Sequence, residues 1–384
     1  MRLLYGFDNV MPSAQTDTEQ VAHTAASLSK AGIETTLMLP TPAGQKPPSY
    51  ETIRDYYRID GAFAVRPLPI AISAPAPARQ IAFARRLVRH ARPTDYDVLY
   101  TRNLAVVRAG LNAGFHVVYD HYRPWTDQFW FMKYFLRPLF QHRNLRGIVL
   151  HSHYAVDSYI RAGADPERIL VAHNGFDPGK MLPALTRGEA RHRLGWPEEE
   201  RIAVYSGRVL PKKGVQIILD LAEHLPDWTF AVIGVEERNT FVERAEAVPN
   251  IRLVDWKKPE EVIPYLYAAD TLLIPPSAEP LRKYGTTVLP MKVYSYLAAG
   301  KPIIAPDNPD LQELLQHGHN AWLVSPDDVD GAARAFKQIA RDEDLAGSLG
   351  ESARSTAEEL TWDKRARRIR DWLHQVLPDT TGGP

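Results

Sequence analysis

Two clusters in the second half of the chain have the residue types and spacing that anion chemistry needs. The first is Ser206-Gly207-Arg208-Val209-Leu210-Pro211-Lys212-Lys213-Gly214, which follows an apolar run that reads as a strand and precedes a helical pattern from about Val215. Gly207 permits a tight turn at the strand end. Arg208 and Lys213 share one loop, so a planar fork of donors and a point charge can meet over one anion, beside the positive end of a helix. A diphosphate leaving group fits that arrangement. A solvated basic loop is the plainer alternative, but basic side chains at a helix start oppose the helix dipole, and their placement asks for an anion.

The second cluster is Tyr284-Gly285-Thr286-Thr287-Val288-Leu289-Pro290-Met291-Lys292, leading into a helix expected from about Val288. Thr286 or Thr287 suits the N-cap, and free backbone N–H groups around Gly285 and Val288 would grip the same diphosphate from its other side. Lys292 is expected about one turn into that helix, with its ammonium either reaching back to a phosphate or exposed. Gly300 and Pro302 read as the cap that ends this helix and the breaker that follows it.

These loops need a scaffold, and the chain repeats a short apolar run, a turn and an amphipathic segment many times. Strands are expected at Leu3–Phe7, Glu34–Leu39, Asp97–Thr101, Val117–Asp120 and Ile148–His151, with a helix over Thr16–Lys30 whose apolar face holds Val21, Ala25 and Leu28. A second series follows at Ile202–Ser206, Thr229–Ile233, Ile251–Val254, Thr271–Ile274 and Pro302–Ala305, with helices from about Val215, Thr240, Pro259, Val288 and Pro309. The proline- and glycine-rich stretch Pro40–Pro48 reads as a loop, and Phe176–Ala184 as a linker. Strands alternating with helices imply parallel sheets covered on both faces. The expected fold is α/β with two Rossmann-like, doubly wound domains facing each other across a cleft. Residues 1–180 and 181–361 are the expected domains. Residues 379–384 are expected to be disordered.

Bulk properties narrow the classes. At 384 residues the chain exceeds the size at which one core keeps growing. Lys plus Arg and Asp plus Glu both number 46, which argues against a nucleic-acid partner and leaves any basic site to a local cluster. With no cysteine, a disulfide framework, a thiolate metal site and a cysteine nucleophile are excluded. No export signal is legible and no apolar run approaches a membrane span, so the cytoplasm is the expected compartment.

Taken together, the motifs resemble the large family 4 of retaining glycosyltransferases, whose fold is called GT-B. Gly207-Arg208 with Lys213-Gly214 looks like that family's donor diphosphate loop, and Pro290, Lys292, Tyr294, Tyr296, Gly300 and Pro302 keep the spacing of its signature helix. His173-Asn174-Gly175-Phe176-Asp177 resembles its Pro-Asn-Gly-Val-Asp stretch, and the segments around Pro309–Glu313 and Asn320–Val324 are similar to those after its donor site. The resemblance runs through nearly the whole chain in the family's order. It implies a nucleotide-sugar donor, UDP- or GDP-linked, with no metal and no other cofactor. It also implies a hydroxyl acceptor and retention at the anomeric carbon. The same resemblance makes residues 1–180 the acceptor domain and 181–361 the donor domain, and returns a terminal helix at 362–378 to the first. Arg208 and Lys213 would offset charge growing on the leaving diphosphate. His121, after the strand Val117–Asp120, matches the family's histidine near the reaction centre, and Tyr122 and Arg123 would line the acceptor side.

The chain also departs from that pattern. The family's pair of glutamates, read in register from Gly300, is replaced by Thr287 and Ser295. Ser295 is shorter and neutral, so ribose recognition must differ, and Glu279 is a partial substitute out of register. The loop after the first strand lacks the usual double glycine; Ser13, Gln15 and Thr16 would offer hydrogen bonds to acceptor or phosphate instead.

Trp125, Phe129, Trp130, Phe131, Tyr134, Phe135 and Phe140, with nearby lysine and arginine, suggest either a core and acceptor pocket or peripheral contact with the inner face of a membrane. The arginines at 79, 85, 86, 89 and 92 add to the second reading or form a solvated face. Two other functions fit a similar fold: a nucleotide-sugar 2-epimerase, and a non-catalytic sugar-nucleotide or glycan binder.

Overall fold

The computed structural model describes residues 1–70, 75–280 and 289–378. Internal contacts divide the chain into two units: Met1–Asn174 together with the C-terminal segment from Trp362, and Gly175–Thr361.

The first unit holds a parallel sheet of seven strands, β1 (Arg2–Gly6), β2 (Glu34–Pro42), β3 (Ala64–Ile70), β4 (Val98–Thr101), β5 (Val117–His121), β6 (Leu145–Leu150) and β7 (Ile169–Val171), in the order β3-β2-β1-β4-β5-β6-β7. Its central strands read as continuous apolar runs because both faces are covered. Leu3 and Tyr5 pack on one side with the helices Thr16–Lys30 and Trp362–Val376, while Leu4 and Leu99 pack on the other with Phe83 and Leu87.

The second unit holds six parallel strands, β8 (Arg201–Ser206), β9 (Trp228–Val235), β10 (Ile251–Asp255), β11 (Thr271–Leu273), β12 (Ile303–Pro306) and β13 (Trp322–Val324), ordered β10-β9-β8-β11-β12-β13. Ile202 and Val204 face one core, Ala203 and Tyr205 the other. In both sheets the strand order reverses beside the first strand, between β1 and β4 and between β8 and β11. Ligands bind outside the carboxyl ends at such a reversal, because the loops there diverge and open a crevice.

The structure corrects several sequence-based expectations. Pro40 and Pro42 lie in β2, not in a loop. Pairing with β1 ends at Met38, so beyond it only β3 is a partner and the missing proline N–H groups leave no gap. The edge strand β3 went unread because Pro67 and Pro69 interrupt it, as edge strands allow. The strands β7 and β13, three residues each, were too short to stand out. The second-unit signature helix begins at Lys292, later than expected, so Lys292 is its first residue and not one turn inside. No helix starts at Pro309; residues 310–314 are turns. Gly300 ends the signature helix with φ +63°. The expected tail at 379–384 lies outside the described residues. Among the described residues, no helix is long and apolar enough to cross a membrane.

Candidate active site

In the second unit the strand reversal between β8 and β11 is built around one helix. Tyr296, on the helix Lys292–Ala299, accepts the Ser206 N–H at 2.8 Å and donates to the Leu273 carbonyl at 3.4 Å. It therefore ties the ends of both strands to the helix where the ladder between them stops. Lys292 lies four residues earlier, on the same helical face. Its ammonium sits 3.6 Å from the centre of the buried Tyr205 ring, a close cation–π contact.

Gly207 makes this approach feasible. Its φ is +133°, and a Cβ there would lie 3.1 Å from Lys292 Nζ. Gly214, at φ +73°, closes the far end of the loop, where a Cβ would come within 2.5 Å of Ser277 Cβ. The loop after β8 is thus pressed against the segment after β11, and glycine is required at both ends of it.

Three cations gather at this loop. Burial and the neighbouring Lys213 hold the Lys292 ammonium well below the usual lysine range. Lys213 is lowered in turn by desolvation and by Lys212 and Arg208. Arg208, whose side chain is 48% exposed, has one weak ion-pair partner among the described residues, Glu236 at 3.6 Å. Among the described residues neither Lys213 nor Lys292 has an acidic partner within ion-pair range. Like charges pressed together without a counter-ion are costly, and a bound anion removes the cost. Glu236, directly after β9, was missed by the sequence reading.

The remaining second-unit candidates are less informative. Ser295 donates its hydroxyl to the Lys292 carbonyl at 3.0 Å, a bond within its own helix. Glu279 is half-buried beside Ser277, whose Oγ accepts the Glu279 N–H. Gly285, Thr286, Thr287 and Val288 lie outside the described residues.

In the first unit, His121 is the last residue of β5 and is buried. Its ring stacks on Tyr119, Tyr122 and Trp125 at centroid distances of 5.2, 4.9 and 5.1 Å. Its Nδ1 accepts the Arg123 N–H at 3.1 Å and lies 3.2 Å from the Tyr159 hydroxyl, which places the ring proton on Nε2. Burial, with Arg102, His151 and Arg123 nearby, keeps the ring well below the usual histidine range. His121 is therefore neutral at physiological pH, with Nε2–H as a hydrogen-bond donor.

Sequence reasoning missed the network beneath His121. The buried Asp120 carboxylate takes the Tyr100 hydroxyl and the His151 Nε2–H at 2.5 Å each, and Arg365 at 2.9 Å. Asn174 donates to His151 Nδ1 at 3.1 Å, which fixes the tautomer that faces Asp120. Burial alone would raise the Asp120 pKa, but Arg365 and His151 hold it well below the usual range. Burial lowers His151 to about 4. The network spans β4, β5, β6, the end of the first unit's first segment and the returning helix. It fixes β5 directly before His121, and no local pattern could reveal it because Arg365 lies far away in sequence.

Ser13, Gln15 and Thr16 follow β1. The Ser13 hydroxyl is 3.1 Å from Thr18 Oγ1, and its backbone is held by Tyr57; Gln15 caps the helix that Thr16 begins. Tyr122 is flanked by two guanidinium groups, Arg102 at 5.5 Å and Arg123 at 5.6 Å from its ring centre. Trp125 and Phe140 belong to the interior, but Trp130, Tyr134 and Phe135 are 70%, 64% and 66% exposed.

Two sheets of the same reversed strand order, each in its own unit, define a GT-B architecture. Residues 186–356 match the model for glycosyl transferases group 1, and residues 18–180 match that for glycosyltransferase family 4. The chain belongs to this family of GT-B glycosyltransferases. It is 27% identical over 248 residues to the D-inositol 3-phosphate glycosyltransferase of Streptomyces bingchenggensis, covering 60% of this chain and 53% of that protein. The chain thus spans about half the length of the curated relatives it matches. Among solved structures, Anabaena HepE in complex with UDP superposes with TM-score 0.75 at 16% identity, covering 98% of this chain and 100% of that one. A glycosyltransferase from Rickettsia africae gives TM-score 0.76 at 14% identity, covering 99% of each.

Proposed function

We propose that this protein transfers a hexose from a nucleoside-diphosphate sugar to a hydroxyl acceptor, with retention of anomeric configuration and without a metal ion. The carrying observation is the gathering of Arg208, Lys213 and Lys292 at the β8 loop, without an acidic partner for either lysine among the described residues. Arg208 and Lys213 offset the charge that grows on the diphosphate as the glycosidic bond breaks, and Lys292 joins them from the helix start. The leaving phosphate then takes the acceptor proton, so a separate protein base is not required. His121, neutral and with Nε2–H as donor, suits a hydrogen bond to a sugar hydroxyl better than charge stabilisation. A UDP-sugar is favoured over a GDP-sugar by the likeness to HepE, solved with UDP and with UDP-glucose.

Peripheral contact with an anionic membrane surface is part of this reading. Phe129, Trp130, Phe131, Tyr134 and Phe135 are exposed and touch one another in a chain of ring contacts, with Lys133 over Tyr134 at 5.0 Å. Mutually packed, exposed aromatics beside basic residues suit a lipid–water interface.

The test is product stereochemistry. UDP-α-glucose or GDP-mannose is incubated with the full chain and a panel of hydroxyl acceptors, and the new linkage is read by proton NMR. An α-linkage from the α-donor is expected. A β-linkage would refute retention, and epimer formation from donor alone would favour the epimerase.

A further inference from the structure

Arg102 follows the last residue of β4 and stands at the strand reversal of the first sheet, as Arg208 stands near that of the second. Its Nη1 donates to the Gln20 Oε1 at 2.6 Å, while its Nη2 is buried without a hydrogen-bond partner among the described residues. An enclosed guanidinium nitrogen with nothing to bond carries a desolvation cost, and such groups in native proteins await a ligand or water. Among the described residues no carboxylate is paired with Arg102 or with Arg123. The nearby acids are engaged elsewhere: Asp17 accepts from Asn9 at 2.7 Å, and Asp120 is held by Tyr100, His151 and Arg365.

Arg102 and Arg123 converge on one aromatic ring. Both guanidinium groups lie near Tyr122, Arg123 Nε donates to its hydroxyl at 3.2 Å, and the ring stacks on His121. Burial apart, both arginines contribute to depressing the His121 pKa, so both fields reach the histidine. Two cations without counter-ions beside a neutral donor form a site for a compact dianion.

We infer that the acceptor carries a phosphomonoester, held by Arg102 and Arg123 while its hydroxyl is presented beside His121. This rests on the transferase reading above and names the acceptor class for it. Arg102 and Arg123 are then specificity-determining residues.

The test uses the full chain and two probes, UDP and inorganic phosphate, at constant ionic strength. UDP is titrated first; phosphate is then titrated into protein saturated with UDP, so that the second-unit cations are filled. The expected result is phosphate binding to the UDP complex, weakened about tenfold or more in Arg102→Gln and in Arg123→Gln, with UDP affinity unchanged and with Arg102→Lys retaining part of it. Melting temperatures of the variants verify folding. Phosphate binding that is absent in wild type, or equal in wild type and both glutamine variants, overturns the inference while UDP binding leaves the transferase reading intact. Loss of UDP affinity in Arg102→Gln also overturns it, by assigning Arg102 to the donor. Failure of both UDP and GDP to bind the wild type overturns the transferase reading itself; where GDP alone binds, it takes the place of UDP in the titration. Given UDP binding, transfer from UDP-glucose is then compared between glucose and glucose 6-phosphate. The phosphorylated acceptor is expected to have a lower KM in wild type and to lose that advantage in Arg102→Gln.

Discussion

Lys292 Nζ lies 3.6 Å from the centre of the Tyr205 ring, above the backbone of Gly207, with Lys213 as its nearest electrostatic neighbour. The ring face partly offsets the missing counter-ion but leaves the ammonium poorly solvated, so its pKa is low in the free protein. A bound diphosphate would raise it.

That shift links nucleotide binding to protons. The bound form has the higher pKa, so binding takes up a proton where the free lysine is neutral, and affinity falls as pH rises through the bound-state value. Calorimetric titrations of UDP in buffers of different ionisation enthalpy should show net proton uptake at a pH where the free lysine is neutral. Lys292→Met should abolish the uptake. Equal heats after buffer correction in wild type and variant would remove Lys292 from the diphosphate site.

Arg208→Ala and Lys213→Ala should each cost about 2 to 4 kcal/mol of transition-state stabilisation, roughly 30- to 1000-fold in kcat. Both side chains are on the loop surface, so melting temperatures should stay close to wild type. Turnover near wild type in both variants would contradict their roles. The Glu236→Gln change should act the other way on UDP affinity, tightening it slightly, because it frees Arg208 from its 3.6 Å partner.

The Asp120 network predicts both a mutational and a pH effect. Arg365→Met removes one partner of a buried pair and should destabilise the fold by about 3 to 5 kcal/mol in denaturant melts. His151 is held neutral, with its folded pKa lowered to about 4. Its contribution is therefore complete above the unfolded value of about 6.5 and is lost as pH falls toward about 4, by up to about 1.4 kcal/mol per pH unit. Stability that stays flat from pH 7 to 4 would argue against this assignment.

The aromatic cluster can be separated from catalysis. Trp130→Ser with Phe135→Ser should leave the melting temperature nearly unchanged, since both rings are mostly exposed. Sedimentation with liposomes containing about 30% anionic lipid should recover wild type, and clearly less of the double variant. Equal recovery with neutral and anionic liposomes would refute the membrane contact.

Much of this was legible from local pattern, and the exceptions share a cause. The helix Thr16–Lys30 and the central strands stood out because buried, two-sided strands and amphipathic helices leave strong periodic signals. Gly207, Arg208 and Lys213 were singled out because they lie in the loop that follows a strand, and His121 because it stands at a strand's carboxyl end. Arg102 obeys the same rule and was overlooked, since an arginine after a strand looks like any surface residue until its unpartnered nitrogen is seen. The Arg365–Asp120 bond joins positions 245 residues apart, and no window along the chain could register it. Lys292 was read one turn too deep; Pro290 precedes the helix because a proline in its interior would break the backbone ladder.

The most direct measurement of the central claim is calorimetric comparison of UDP with UMP, and of GDP with GMP, on wild type and on the triple variant Arg208→Ala, Lys213→Ala, Lys292→Met. The account predicts that one diphosphate binds wild type at least tenfold more tightly than its monophosphate, and that the triple variant loses this preference while remaining folded. Equal affinity for mono- and diphosphate in wild type, or a preference that survives removal of all three cations, would contradict it.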